Sequence, residues 1–147
     1  MTYNRQLHMF ISQLSGRINR IEEAALEAGL EEGVSAAEIR IVQAIGLDGS
    51  GKMGDVSKAL GISLATFTVS CDKLETRGFI EKRRDVKDKR TVRVSLTEKG
   101  TIAYRFHMSF VEGLIDMLLT ELSEEERAAL RAGIEKVNRL VGAMASE

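Results

Sequence analysis

The sequence predicts a mainly α-helical chain: a winged helix-turn-helix carried between long N- and C-terminal dimerisation helices. Apolar residues recur at steps of three and four through most of the 147 residues, and no proline interrupts them. The period changes to two in one short region only, where strands Phe79–Arg84 and Thr91–Leu96 flank a charged loop. With 44% hydrophobic and 29% charged residues the chain is globular in balance. At this length it buries a core without disulfides, which a single cysteine cannot form internally.

Taken in order, Tyr3 to Gly29 carries Leu7, Phe10, Ile11, Leu14, Ile18, Ile21 and Ala25 as one stripe on a long helix. Ser35-Ala-Ala-Glu38 has the form of a capping box, in which serine oxygen and glutamate each satisfy a free backbone N–H. It opens a second helix with Ile39, Val42 and Ile45 inward, and Gly46 to Gly51 forms a turn. A short helix follows over Gly54–Leu60, with Val56, Ala59 and Leu60 as its apolar side. Gly61 stops it, and Ser63 caps the next helix, Leu64–Arg77, which turns Phe67, Cys71 and Leu74 inward. Two helices joined through a glycine turn form a helix-turn-helix, and the β-hairpin after Gly78 adds a wing.

Thr97 caps a long helix to about Thr120 that carries Ile102, Phe106, Phe110, Leu114 and Leu118. A second capping box, Ser123 to Glu126, opens a last helix with Leu130, Ile134, Val137, Val141 and Met144 on one side. The expected organisation is a single subunit over 1–147, with 35–100 as the winged helix-turn-helix and 1–34 and 101–147 as dimerisation helices. The outer stripes are narrow and need a cover. A second copy of the same stripe supplies it most simply, giving a homodimer; bundling within one chain is the alternative.

Net charge is −1, but its distribution is uneven. Residues 52–100 hold 12 Lys/Arg against 7 Asp/Glu, and the rest of the chain holds the compensating acidic excess. Seven of those cations fall between Lys82 and Arg93: Lys82, Arg83, Arg84, Lys87, Lys89, Arg90 and Arg93. A basic stretch on an acidic body is the electrostatic footprint of a nucleic-acid partner, here double-stranded DNA.

The second helix of a helix-turn-helix lies in the major groove with its N-terminal residues at the base edges. That directs Ser63, Leu64, Ala65, Thr66, Thr68 and Val69 to DNA, with Lys73 further along. None is an arginine able to read guanine, so specificity is expected from methyl contacts and shape at an A/T-rich site. On the wing, Arg84, Lys87, Lys89 and Arg90 are the candidate contacts, Arg90 suiting a narrow minor groove. Asp88 is expected to orient the Arg90 guanidinium through a bidentate pair.

Leu60-Gly-Ile-Ser63, Leu74-Glu-Thr-Arg-Gly-Phe-Ile80, Asp88-Lys-Arg90 and Val94-Ser-Leu-Thr-Glu-Lys-Gly100 resemble the corresponding stretches of MarR-family transcriptional regulators. The resemblance runs over the whole chain. It implies a winged-helix homodimer on a palindromic operator, expected to act as a repressor, although no residue encodes the direction of regulation. Arg90 then enters the minor groove, Asp88 steadies it, and the helix from Leu64 reads the major groove. Within the family, Ile21-Glu-Glu23, Val56-Ser-Lys58, Thr66-Phe-Thr-Val-Ser70 and His107 before Phe110 are similar to the FabT subgroup of fatty-acid-synthesis repressors. That subgroup implies long-chain acyl-acyl carrier protein as co-repressor, bound where apolar residues line a tunnel. The alternative within the family is a repressor released from DNA by a small aromatic or lipophilic ligand.

Other chemistries find little support in the residues. Cys71, between Phe67 and Leu74, reads as a small buried hydrophobe rather than an activated thiolate. His8 and His107 lack the clustered ligands of a metal site, and Gly46–Gly51 lacks the lysine and hydroxyl of a phosphate loop. With no nucleophile and base pair, neither an enzyme nor a cofactor protein is expected. Neither a signal peptide nor a membrane span is read from the sequence, so a cytoplasmic location is expected. An architectural protein without sequence preference differs from a regulator in its ratio of specific to non-specific affinity. A protein-interaction module without DNA binding would have no need of Asp88 and Arg90.

Overall fold

A computed structural model describes residues 2–49 and 51–144; Ser50, inside the expected turn, lies outside them. The helices are α1 (Tyr3–Gly29), α2 (Ala36–Ile45), α3 (Met53–Leu60), α4 (Leu64–Thr76), α5 (Glu98–Thr120) and α6 (Glu124–Met144). The strands are β1 (Gly51–Lys52), β2 (Ile80–Arg84) and β3 (Val92–Leu96). The chain divides into two compact units, 1–108 and 109–147, and α5 contributes to both.

The first unit holds the core. Leu26, Ile39, Val42, Phe67, Cys71, Leu74 and Val94 are fully buried there, joined by Phe79, Ile80 and Ala103. Both caps at its helix starts form: Ser35 and Glu38 complete the capping box of α2, and Ser63 Oγ accepts from the Thr66 N–H at 3.1 Å at the start of α4. Gly61 ends α3 in the left-handed region (φ 68°), where a residue without Cβ is free of strain.

A three-stranded antiparallel sheet has the order β1-β3-β2. Strand β1 departs from the expected turn, whose end pairs with the wing, Gly51 opposite Val94 and Lys52 opposite Arg93. Helix α3 consequently begins at Met53, one residue earlier than its pattern indicates, and Met53 is buried. Ala59 is exposed rather than inward; Ser57 is buried instead, its hydroxyl donating to the Gly54 carbonyl at 2.9 Å.

The junction from α4 through the sheet to α5 is closed by residues of two of the family-like stretches. Thr97 Oγ1 donates to the Gly78 carbonyl at 2.6 Å and accepts from the Gly100 N–H at 3.1 Å. A side chain at Gly100 would overlap the Phe79 carbonyl, so only glycine lets α5 start this close to β2. Lys99 Nζ donates to the Arg77 carbonyl at 2.8 Å and lies 4.5 Å from the centre of the Phe79 ring. Arg77 covers the same ring at 5.1 Å and pairs with Glu38 at 2.9 Å. Burial works against the Glu38 charge, but the Ser35 N–H and Arg77 together hold its carboxyl below the usual range.

The long helices leave much of their apolar stripes uncovered within the chain. On α1 the stripe from Leu7 to Ile21 is exposed, and the buried residues are Glu22 and Leu26. On α5 Ile102 and Leu118 are exposed, while Gly100, Ala103 and His107 are buried. His107 is thus a core histidine: its Nε2 hydrogen-bonds Glu22 Oε1, and its Nδ1 is buried with no partner among the described residues. In the second unit, α6 opens with its capping box, Ser123 N–H to Glu126 Oε2 at 2.8 Å, and has no buried residue. Its apolar residues Leu130, Ile134, Val137, Val141 and Met144 all lie open.

Candidate nucleic-acid interface

Helix α4 separates its residues as the spacing predicts. Phe67, Cys71 and Leu74 anchor it in the core, which leaves Leu64, Ala65, Thr66, Val69 and Lys73 on an exposed face. Leu64 is 51% and Val69 56% exposed, apolar side chains that the fold itself leaves uncovered. Hydroxyls on this face are partly committed. Ser63 Oγ donates to Thr66 Oγ1 at 2.9 Å besides capping the helix, and Thr68 Oγ1 donates to the Leu64 carbonyl at 2.7 Å. Their methyl and methylene surfaces remain available.

The wing loop is folded by its two aspartates. Asp85 Oδ1 accepts from the N–H of Lys87 at 2.8 Å and of Asp88 at 3.2 Å, while Oδ2 pairs with Arg93 Nε. The Arg93 guanidinium first, and the two N–H groups with it, pull the Asp85 carboxyl down to about 2. Asp88 Oδ1 accepts from the Arg90 backbone N–H at 3.0 Å, and Oδ2 from the Thr91 hydroxyl at 3.0 Å. The expected bidentate pair between Asp88 and the Arg90 guanidinium is therefore replaced. Local geometry favours an Asx turn, in which the carboxylate fixes the backbone that carries Arg90. The Arg90 guanidinium has no hydrogen bond or ion pair among the described residues and stands exposed, as do Lys87 and Lys89. Arg84 donates to the Lys89 carbonyl at 3.3 Å, bracing the loop from its base.

Not all the basic stretch is free. Lys82 bridges Asp72 and Glu75 of α4, whose carboxylates raise its pKa, and its N–H donates to Glu75 Oε1 at 2.9 Å. Those bonds fix the wing to α4. A cleft of about 450 Å³ opens where wing, α3 and α4 meet, and Leu64, Thr68, Arg90 and Thr91 line it. Sequence reasoning did not single out two further residues on its wall, Lys52 and Asp55. Lys52 sits in a two-residue strand that leaves no periodicity from which to find it, and Asp55 lies on the exposed side of the first turn of α3.

Cys71 is fully buried in the core side of α4, and burial pushes its thiol up to about 11. Among the described residues no three His, Cys, Asp or Glu side chains gather as a metal site requires. No described helix is long and apolar enough to cross a membrane.

A helix-turn-helix with an exposed second helix, followed directly by a cation-bearing β-hairpin, defines the winged-helix class. Comparison with known proteins narrows it. Residues 31–104, from the loop before α2 into α5, match the family model described as transcriptional regulator SarA/Rot. The uncharacterized HTH-type transcriptional regulator YwhA of Bacillus subtilis is 32% identical over 111 residues, 76% of this chain and 80% of its own length. Among solved structures, FabT of Streptococcus pneumoniae in complex with DNA matches with a TM-score of 0.90 at 27% identity, covering 96% of this chain and 99% of that one. A cysteine-to-serine mutant of Escherichia coli MarR complexed with operator DNA matches with a TM-score of 0.73 at 25% identity, covering 90% of this chain and 93% of that one. The chain belongs to the MarR family of winged-helix transcriptional regulators.

Proposed function

We propose that this protein is a sequence-specific DNA-binding repressor that acts as a homodimer on a palindromic operator. The observation that carries the reading is the pairing of an uncovered apolar face on α4 with an uncommitted Arg90 guanidinium on an internally braced wing, both bordering one cleft. In this reading Ser63, Leu64, Ala65, Thr66, Thr68, Val69 and Lys73 meet the major groove, Arg90 enters the minor groove, and Arg84, Lys87 and Lys89 neutralise phosphates. Asp88 holds the wing backbone in the shape that presents Arg90. Residues 35–100 are the DNA-binding part, and 1–34 and 101–147 join two copies through the exposed stripes of α1 and α6. A regulator that meets chromosomal DNA works in the cytoplasm.

The likeness to a DNA-bound FabT supports control of fatty-acid synthesis genes. Long-chain acyl-acyl carrier protein is the co-repressor that the subgroup resemblance implies. The alternative is release by a small aromatic or lipophilic ligand. In the first unit a cavity of about 480 Å³ offers it Leu30, Phe79 and Ile102, beside the charged Glu31, Glu32, Glu98 and Lys99. Binding is tested by fluorescence anisotropy on DNA from upstream of fatty-acid synthesis genes, at fixed salt and with a scrambled competitor. Arg90→Ala is expected to cost about 1–3 kcal/mol of specific binding, and an unchanged affinity removes the wing from the interface. Tighter specific binding with acylated carrier protein supports the fatty-acid reading. Weaker binding with a lipophilic small molecule, and indifference to the carrier, supports the alternative.

A further inference from the structure

The wing sheet sets three cations in one cross-strand row. Arg83 of β2 stands opposite Arg93 of β3, and Lys52 of β1 stands opposite Arg93 on its other side. Adjacent strands lie about 4.7–4.9 Å apart, so the row spans roughly 10 Å. Like charges directly opposite each other destabilise a ladder unless anions compensate them. Two of the three are compensated within the fold: Arg93 by Asp85, and Arg83 by Glu81 at 3.1 Å. Lys52 is exposed, and its ammonium has no hydrogen bond or ion pair among the described residues. It also lines the cleft bordered by Leu64, Thr68 and Arg90. The carboxylate on that wall is Asp55, against Lys52, Lys82 and Arg90. With Lys82 held by Asp72 and Glu75, two cations face one anion.

We propose that Lys52 is a further DNA anchor: it holds a backbone phosphate beside the wing and fixes the register in which α4 and Arg90 meet the grooves. The inference rests on the DNA-binding reading above. An ammonium is a point charge suited to phosphate, and phosphate contacts position a protein without carrying sequence information. Strand β1 gives the anchor its rigidity, since pairing with β3 ties Lys52 to the same hairpin that carries Arg90.

The test uses an operator selected from random DNA by the full-length wild-type protein, with a scrambled duplex as comparison. Wild type, Lys52→Ala, Lys52→Arg and Arg90→Ala are titrated over a series of salt concentrations. Lys52→Ala is expected to weaken operator and scrambled binding by the same factor. It should also flatten the plot of log affinity against log salt by about 0.9, the loss of one phosphate contact. Lys52→Arg keeps the charge and should restore both. Unchanged affinity and slope overturn the anchor while wild-type binding keeps the regulator. A loss confined to the operator also overturns it, because the lysine would then be reading bases. If wild type binds no duplex at all, the DNA-binding reading and the anchor fall together.

Discussion

Helix α2 buries five of its ten residues, whereas none of the twenty-one residues of α6 is buried. Both start with capping boxes, and both carry an apolar face at helical spacing. Their local codes are therefore equivalent, and the difference lies in what each face meets. The α2 face packs into a core with α4 and the sheet, and the described residues of its own unit complete that core. The α6 face is left open by its own chain. Helix α1 shows both conditions along its length: Leu26 joins the core, and the stripe from Leu7 to Ile21 does not. An apolar stripe in a sequence thus does not establish that its own chain covers it.

The sharpest way to test the closed half is to open it. Phe67 is fully buried on the inner face of α4. Phe67→Ala is expected to cost about 3–5 kcal/mol, from lost transfer energy and the cavity left behind. Denaturant unfolding measures it. A loss below about 1 kcal/mol would show that the core does not depend on this helix being anchored.

Legibility follows distance along the chain rather than closure. Ser35 with Glu38, and Ser63 with Thr66, are contacts over three residues, so their spacing in the chain is their geometry. Phe67, Cys71 and Leu74 share a face for the same reason. Glu22 and His107 lie 85 residues apart, and neither carries any local mark of the other. Strand β1 exists only because β3 pairs with it, so two residues of turn give no sign of it. At Asp88 the residue is legible but its partner is not. A carboxylate two positions before an arginine can reach the guanidinium or the backbone N–H, and only the fold of the loop decides. The exposed face of α4 follows directly from its buried one. The cleft does not, because it needs three elements brought together.

The open half gives a smaller but more diagnostic effect. Ile134 and Val137 are 52% and 56% exposed on α6. If a second copy covers them, Ile134→Lys with Val137→Lys yields a monomer by light scattering at micromolar concentration. Operator affinity should fall with it, since two half-sites then have to be bound independently. Helix content should stay near wild type, because neither side chain supports the fold of its own chain. An unchanged dimeric mass would move the interface away from α6, and a wild-type monomer would end the homodimer reading altogether.

The smallest effect concerns charge rather than burial, and it asks whether the wing is closed on itself as the core is. Asp85 has a carboxyl near 2 in the folded state, held down chiefly by Arg93 and then by the N–H groups of Lys87 and Asp88. In the unfolded chain an aspartate titrates at about 3.9. A lowered folded pKa means that the contribution to stability is complete above that unfolded value and is lost as pH falls through about 2. Following the Lys87 and Asp88 amide resonances down in pH should therefore show a midpoint near 2, below that of an ordinary aspartate. Asp85→Asn should abolish the midpoint and loosen the wing more than the global fold, since the bonds that Asp85 makes to Arg93, Lys87 and Asp88 all lie within the wing. Operator affinity should fall modestly with it, because Arg90 is then presented from a looser loop. A midpoint at the ordinary value would mean that the wing is not braced from within, and that DNA rather than the fold gives it its shape.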